Sequence, residues 1–241
     1  MTVRGDAPPT ERWRRVLDAR TSRARGRRTL GRLLDAAEDE LAAHGYHGAR
    51  VARVARRAGT SHGSFYVYFD DKDDLLVALQ EEVLAERDGL LAELPELTPG
   101  PTGFLRLRAW LARVCEMFLD RAAVRAAILD AIIEDADPRL TKAGLRAQRR
   151  WVTALADRIR AAVGPGASAD IDPYLAALCI DNFIDRTTRS IHRRQLAVTF
   201  DELVDGVTEL LHRSVFGSVA AQVGAVDHPG ERGRQRVGVD P

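Results

Sequence analysis

Apolar residues recur at three- and four-residue intervals along most of the chain, the spacing of helices that each bury one face. From Thr29 onward, Leu30, Leu33, Leu34, Ala37 and Leu41 share a face and Gly45 follows as a stop, which predicts a first helix. Val51, Val54, Ala55 and Ala58 form a second, short stripe closed by Gly59, with Arg50, Arg53, Arg56 and Arg57 on the other faces. Ser61 is placed to cap a third helix in which Phe65 and Phe69 stand one turn apart. Residues 70–74 open a fourth, whose acidic first turn suits the helix dipole and whose buried side is Leu75, Leu76, Leu79 and Val83.

Pro95, Pro99, Gly100, Pro101 and Gly103 then break the pattern. Beyond them the periodicity predicts amphipathic helices near 103–119, 121–135, 138–163, 172–195 and 200–216, with a second loop at 164–173. Pattern and turn signals together predict an all-α fold in four stretches. Residues 1–26 read as a basic, flexible arm, 27–74 as a compact three-helix unit, 75–216 as a larger helical body, and the glycine-rich residues 217–241 as a disordered tail.

Charge sharpens this division. The formal net charge of +1 hides an excess of six basic residues over residues 1–72, fifteen Arg or Lys against nine Asp or Glu, and an excess of five acids over the rest. A basic front on a mildly acidic body suits a polyanion held by one end, though a solvated face gives the same excess. Cys115 and Cys179 are too few for a disulfide framework and lie in apolar helical surroundings, so both read as core residues of a reducing cytoplasm. No apolar run reaches membrane-spanning length and the Arg-rich start lacks a secretory apolar stretch, so no membrane partner is expected.

The stretch GTSHGSFYVYF, residues 59–69, concentrates four of the chain's fourteen aromatic residues. Two short helices joined by a glycine turn, the second starting at Ser61 with small residues on its first turn, describe a helix-turn-helix. In that unit the second helix enters the DNA major groove N-terminus first. Gly63 then removes a side chain where helix and groove would collide, while Ser61, His62 and Ser64 offer short donors and acceptors. Phe65 and Phe69 should point inward; Tyr66 and Tyr68 should turn outward toward the sugar-phosphate wall.

Ala55 to Leu76, ARRAGTSHGSFYVYFDDKDDLL, resembles the DNA-reading motif of the TetR family of bacterial transcriptional regulators, and the resemblance covers about residues 29–80. It implies an all-helical homodimer with an N-terminal helix-turn-helix domain on an operator and a larger C-terminal domain that binds a small-molecule inducer. By position it makes His62, Gly63 and Ser64 base-facing and Tyr66, Tyr68 and Lys72 phosphate contacts. Lys72 also stands out because the chain uses thirty-four Arg and only two Lys, and a compact ammonium at a helix start suits one phosphate. The family commonly opens its second helix with Thr or Ser, whereas this chain has Ala49 and Arg50; the missing hydroxyl cap costs on the order of 1 kcal/mol, and Arg50 is expected to serve as a phosphate clamp.

Outside the first eighty residues the resemblance is architectural. Trp110, Val114 and Phe118 lie four apart and, with Ile128, Ile132, Trp151, Leu155 and Phe183, could enclose an apolar cavity, although core packing suits each of them too. In LCIDNFIDRTTRSIHRR, 178–194, Asp181, Asn182, Asp185, Arg186 and Arg189 interrupt an otherwise apolar helix, and such groups pair across a dimer seam, bind a ligand or face water. Asn182, Phe183 and Arg186 complete the expected ligand set. The helices at 172–195 and 200–216 resemble the family's dimerisation pair, with Leu203, Val207, Leu210 and Leu211 as the stripe.

An enzyme is the main rival. The six histidines are scattered, and no phosphate-binding glycine loop or nucleophile elbow occurs; Asp181, Asp185 and His192 are the nearest approach to a metal set. The expectation is therefore a DNA-binding regulator without catalytic residues or cofactor, most simply a repressor released by a small, largely apolar ligand. The alternative is a constitutive DNA-binding or partner-recruiting factor.

Overall fold

The computed structural model describes residues 13–14, 23–163 and 172–216, and among them forms nine helices and no strand. These are α1 (Arg23–Gly48), α2 (Val51–Arg57), α3 (His62–Phe65), α4 (Lys72–Ala92), α5 (Gly100–Asp120), α6 (Ala122–Ile133), α7 (Pro138–Val163), α8 (Pro173–His192) and α9 (Phe200–Phe216). The periodicity located every one of them. α1 begins at Arg23, well before Thr29, and its helical backbone breaks at Gly45, where φ is 63°.

The first apolar cluster joins Leu30, Leu33, Ala37 and Leu41 of α1 to Val54 of α2, Phe65 and Phe69, and Leu75, Leu76 and Leu79 of α4. Phe65 and Phe69 are fully buried, and burying a side chain of that size stabilises by about 1.5–3 kcal/mol. Trp13 is buried in this same cluster and Arg14 pairs with Glu81 of α4. That part of the arm expected to be flexible is therefore docked, because an indole gains more by leaving water than a basic tail loses by being held. The tail 217–241 and nearly all of the loop 164–173 lie outside the described residues.

A second cluster gathers Leu107, Trp110, Leu111 and Val114 of α5, Trp151, Val152, Leu155 and Ile159 of α7, Ile180 and Ile184 of α8, and Leu203, Val207 and Leu211 of α9. α4 links the two. Its residues 74–80 are buried without interruption, as befits a helix surrounded on all sides, and it packs on α1, α5, α6 and α7. α6 bridges them differently: Val124, Ala127 and Ala131 sit in the first cluster against α1, while Arg125 and Leu129 face the body.

The stripe expected to dimerise belongs instead to this internal core. Leu203, Val207 and Leu211 are buried within their own chain, and only Leu210 is exposed. α9 is amphipathic, and its periodicity could not say which body its apolar face meets; α5 meets it first. The exposed apolar side chains of this region are Tyr174, Leu175, Phe183, Leu196, Phe200 and Leu210. Cys179, expected in the core, is also exposed, whereas Cys115 is buried and its thiol is pushed up to about 12 by burial alone.

Candidate functional site

α2 ends in a Schellman turn. The Gly59 N–H donates to the Arg56 carbonyl at 3.1 Å and the Thr60 N–H to the Ala55 carbonyl at 3.0 Å. Gly59 has φ +64°, the left-handed conformation this turn requires and a side chain resists. Ser61 then caps α3: its Oγ accepts from the Ser64 N–H at 3.1 Å and lies 2.8 Å from the Ser64 hydroxyl. The turn and the cap fix the start of α3, and Phe65 and Phe69 fasten its inner face.

The outer face of α3 is open. Ser61, His62 and Gly63 are exposed and Ser64 is half-buried. A Cβ built on Gly63 would meet nothing nearer than Ser61 Oγ at 3.9 Å, so the protein's own packing gives no reason for a glycine there. Tyr66 is 41% exposed, with its ring edge-on to His62 and Phe65.

Two expected contacts differ. Tyr68 is only 8% exposed and does not turn outward; its hydroxyl donates to the Gly26 carbonyl of α1 at 3.4 Å, beside Phe69 in the core. Residues two apart along helical backbone lie on nearly opposite faces, so Tyr68, three after Phe65, follows Phe65 inward rather than Tyr66 outward. Lys72 is half-buried: its ammonium donates to the Tyr46 carbonyl at 2.9 Å and lies 3.7 Å from the Tyr46 ring centroid. It holds α4 to α1 rather than standing free for a phosphate. Arg50 is exposed, as a phosphate clamp requires.

The missing hydroxyl of α2 has a substitute. Glu40, a buried carboxylate of α1, accepts from the Arg50 N–H at 3.1 Å and from Arg53 Nε at 2.6 Å, and Arg53 also donates to the Gly48 carbonyl. Sequence reasoning missed this because the partners stand ten and thirteen positions apart. It also missed the exposed Arg25, Arg27 and Arg28 of α1, whose first turn the Tyr68–Gly26 contact brings beside the reading unit; Arg32 lies 3.8 Å from the position of a Gly59 Cβ.

The body contains a cavity of about 380 Å³ between α4, α5, α6, α7 and α8. Val83, Leu84, Met117, Phe118, Ile128, Leu129, Ile132 and Leu145 supply apolar wall; Gln80, Arg87, Arg125, Gln148, Asp181, Asp185 and Arg189 supply a polar one. Arg87 Nη2 donates to Asp181 Oδ1 at 2.5 Å, and Gln148 Nε2 to Asp181 Oδ2 at 3.1 Å. Asp185 pairs with Arg125 and, at 2.5 Å, with Arg189. Arg125 also donates to the Phe118 carbonyl at 3.1 Å and lies 4.0 Å over the Phe118 ring. Burial, then the nearby Arg189 and Arg87, pulls the Arg125 guanidinium down to about 9, and burial lowers Arg87 too.

The expected ligand set does not converge here. Phe118 and Asn182 line the cavity, but Trp110 and Trp151 stack on one another at 5.4 Å in the core, Trp110 donates to the Leu90 carbonyl at 2.9 Å, and Val114 is fully buried. Their four-residue spacing marked the inner face of α5, which the second core fills. Phe183 and Arg186 lie in a surface groove on the outer face of α8 with Asn182 and Cys179. Among the described residues no His, Cys, Asp or Glu cluster could hold a metal ion, and no helix is long and apolar enough to cross a membrane.

A glycine-turned helix pair with an open outer face, mounted on a larger helical body, defines an all-helical protein with a helix-turn-helix unit. Residues 33–79 match the family described as "Bacterial regulatory proteins, tetR family". Over 54 residues the chain is 37% identical to the fatty acid metabolism regulator protein of Bacillus subtilis (strain 168), covering 22% of this chain and 28% of that one. Over 78 residues it is 40% identical to the HTH-type transcriptional regulator BetI of Escherichia coli, covering 32% and 40%. The chain thus matches less than half the length of these curated relatives.

Among solved structures, a TetR-like regulator from Rhodococcus sp. RHA1 superposes with a TM-score of 0.59 at 18% identity, over 79% of this chain and 97% of that one. FadR from Bacillus subtilis, solved with stearoyl-CoA, does so with a TM-score of 0.57 at 20% identity, over 78% and 98%. Over most of the chain the fold resembles that of these TetR-like structures, and residues 33–79 match the tetR family in sequence.

Proposed function

We propose that the protein is a DNA-binding transcriptional regulator, a repressor that binds a near-palindromic operator as a homodimer and is released by a small ligand. The observation that carries this reading is the open end of α3: Ser61, His62 and Gly63 exposed on a helix start whose other side is locked by Phe65 and Phe69. Arg50, Ser61, His62, Gly63, Ser64 and Tyr66 form the contact set, with the basic first turn of α1 adding phosphate contacts. Residues 27–74 act as the reading head and 75–216 as the ligand-binding and dimerising body.

The exposed apolar residues of α8, α9 and the segment between them give a second copy its seat. Two heads so joined would stand about one DNA turn apart, roughly 34 Å, as a symmetric site demands. A cavity of 380 Å³ falls within the size of small-molecule sites, about 300–1,000 Å³, and favours a ligand-responsive regulator over a constitutively bound factor. α6 supplies the route between sites, since one face lines the cavity and the other packs on α1. Arg121 reinforces the route by pairing with Glu38 of α1 and with Glu86 of α4 at 3.0 Å.

The test is footprinting on DNA flanking the encoding gene. The expected result is a protected two-fold site whose occupancy falls steeply with salt, as several phosphate contacts require. Equal occupancy of unrelated duplexes would refute the reading.

A further inference from the structure

The cavity's lining charges do not balance. Arg87, Arg125 and Arg189 face it with only Asp181 and Asp185 as counter-ions, so one positive charge is in excess inside the body. Arg87 Nε, buried, has no hydrogen-bond acceptor, and Gln80 Oε1, in the same lining, has no donor. Buried charge without a partner is costly, and an excess of this sign is relieved by an anion.

Asp185 already plays that part for Arg125. It reaches across from α8 to α6, yet it is a third exposed and keeps a second partner, Arg189, on its own helix. It can therefore leave Arg125 without being stranded. The rest of the lining, including Val83, Leu84, Met117, Ile128, Leu129 and Ile132, is largely apolar. With water's share of liquid volume at about 30 Å³, the cavity holds on the order of a dozen heavy atoms.

We propose that the ligand is a small amphipathic carboxylic acid, that its carboxylate binds Arg125 and Arg87, and that Asp185 is the resident anion it displaces. The exchange removes the one direct side-chain ion pair between α6 and α8 described at this cavity, and α6 carries α1 on its other face. That last consequence rests on the regulator reading; the binding chemistry does not. A neutral head group could accept from Arg87 Nε but would leave the excess charge unbalanced, and a cation would add to it.

The test titrates decanoate, decan-1-ol and decylammonium into the full chain without DNA. The signal is the intrinsic tryptophan fluorescence, to which Trp151 contributes with its ring centroid 4.8 Å from the Arg87 guanidinium. Decanoate should bind at least about tenfold more tightly than the alcohol, as hydrogen bonds to a charged pair imply, and the ammonium should not compete. Arg125→Gln should weaken decanoate about tenfold or more, whereas Asp185→Asn should tighten it by removing the competitor. Thermal melting of both variants confirms that they are folded. Alcohol or ammonium binding as well as the acid, no saturable decanoate binding, or weaker decanoate binding to Asp185→Asn would each overturn the proposal. Decanoate binding as described by a chain that fails to protect DNA would sink the regulator reading and leave this one standing.

Discussion

Gly63→Ala should raise the stability of the protein and lower its affinity for DNA. Within the chain, the new methyl carbon would have Ser61 Oγ as its nearest neighbour at 3.9 Å, an ordinary contact, and the backbone there is not in a left-handed conformation. Replacing a helical glycine under those conditions stabilises by about 0.4–1 kcal/mol, mainly by restricting the unfolded chain. For a body of this size that is a rise in Tm of roughly 1–4 °C. On DNA, under the proposed reading, the same methyl would project from the helix end that enters the groove. A disturbed base-pair contact costs about 1–3 kcal/mol, and a two-fold complex makes the contact twice, so affinity should fall by roughly thirtyfold to twenty-thousand-fold.

The assay pairs thermal unfolding with anisotropy titration of a labelled operator at fixed salt. The opposed signs make it decisive, since a folding defect would lower both quantities. A variant that melts higher and still binds its operator within about threefold of the parent, less than one disturbed base contact costs, would refute the assignment of Gly63 to the groove.

Two further outcomes follow from buried groups. Burial depresses His212 below the ordinary histidine value, against the opposing pull of Glu209 and a backbone hydrogen bond to Thr98, while its ring packs on Phe104 and Phe216. The unfolded chain then takes up the proton first, so the contribution is fully present above about pH 6.5 and is lost as pH falls below it, at up to about 1.4 kcal/mol per pH unit. The Tm of the parent should drop on acidification and His212→Gln should flatten that drop; an unchanged slope would exclude His212 as its source. For the cysteines, a maleimide should fail to label Cys115 in the native chain, and dilution that dissociates the proposed dimer should speed labelling of Cys179. A Cys179 rate independent of concentration would argue against dimerisation through the outer face of α8.

The helices are legible because each buries a stripe of regular period, and the reading unit because Gly59, Ser61 and the two phenylalanines act on immediate neighbours. What local spacing does not carry is the identity of a distant partner. The inner faces of α5 and α9 pack on each other and on α7, and nothing in the spacing of Trp110 and Val114, or of Leu203 and Val207, distinguishes a cavity wall or a dimer seam from a core. Tyr68 and Lys72 were misplaced for a related reason: their partners, Gly26 and Tyr46, are forty-two and twenty-six residues away. The cavity's charges left a fainter trace. Arg125 stands alone as a cation in AAVRAAILDAII, and a single guanidinium in so apolar a helix needs a partner, yet only the fold shows it to be Asp185.

The carboxylate of Glu40 means that the two short reading helices are not a portable cassette. The backbone amide at their entrance and their Arg53 are both held by a side chain from the preceding helix, so a peptide spanning residues 49–70 would lack its anchor and should be largely unstructured on its own. Anyone grafting the proposed reading face onto another helix-turn-helix protein would have to carry position 40 along with it.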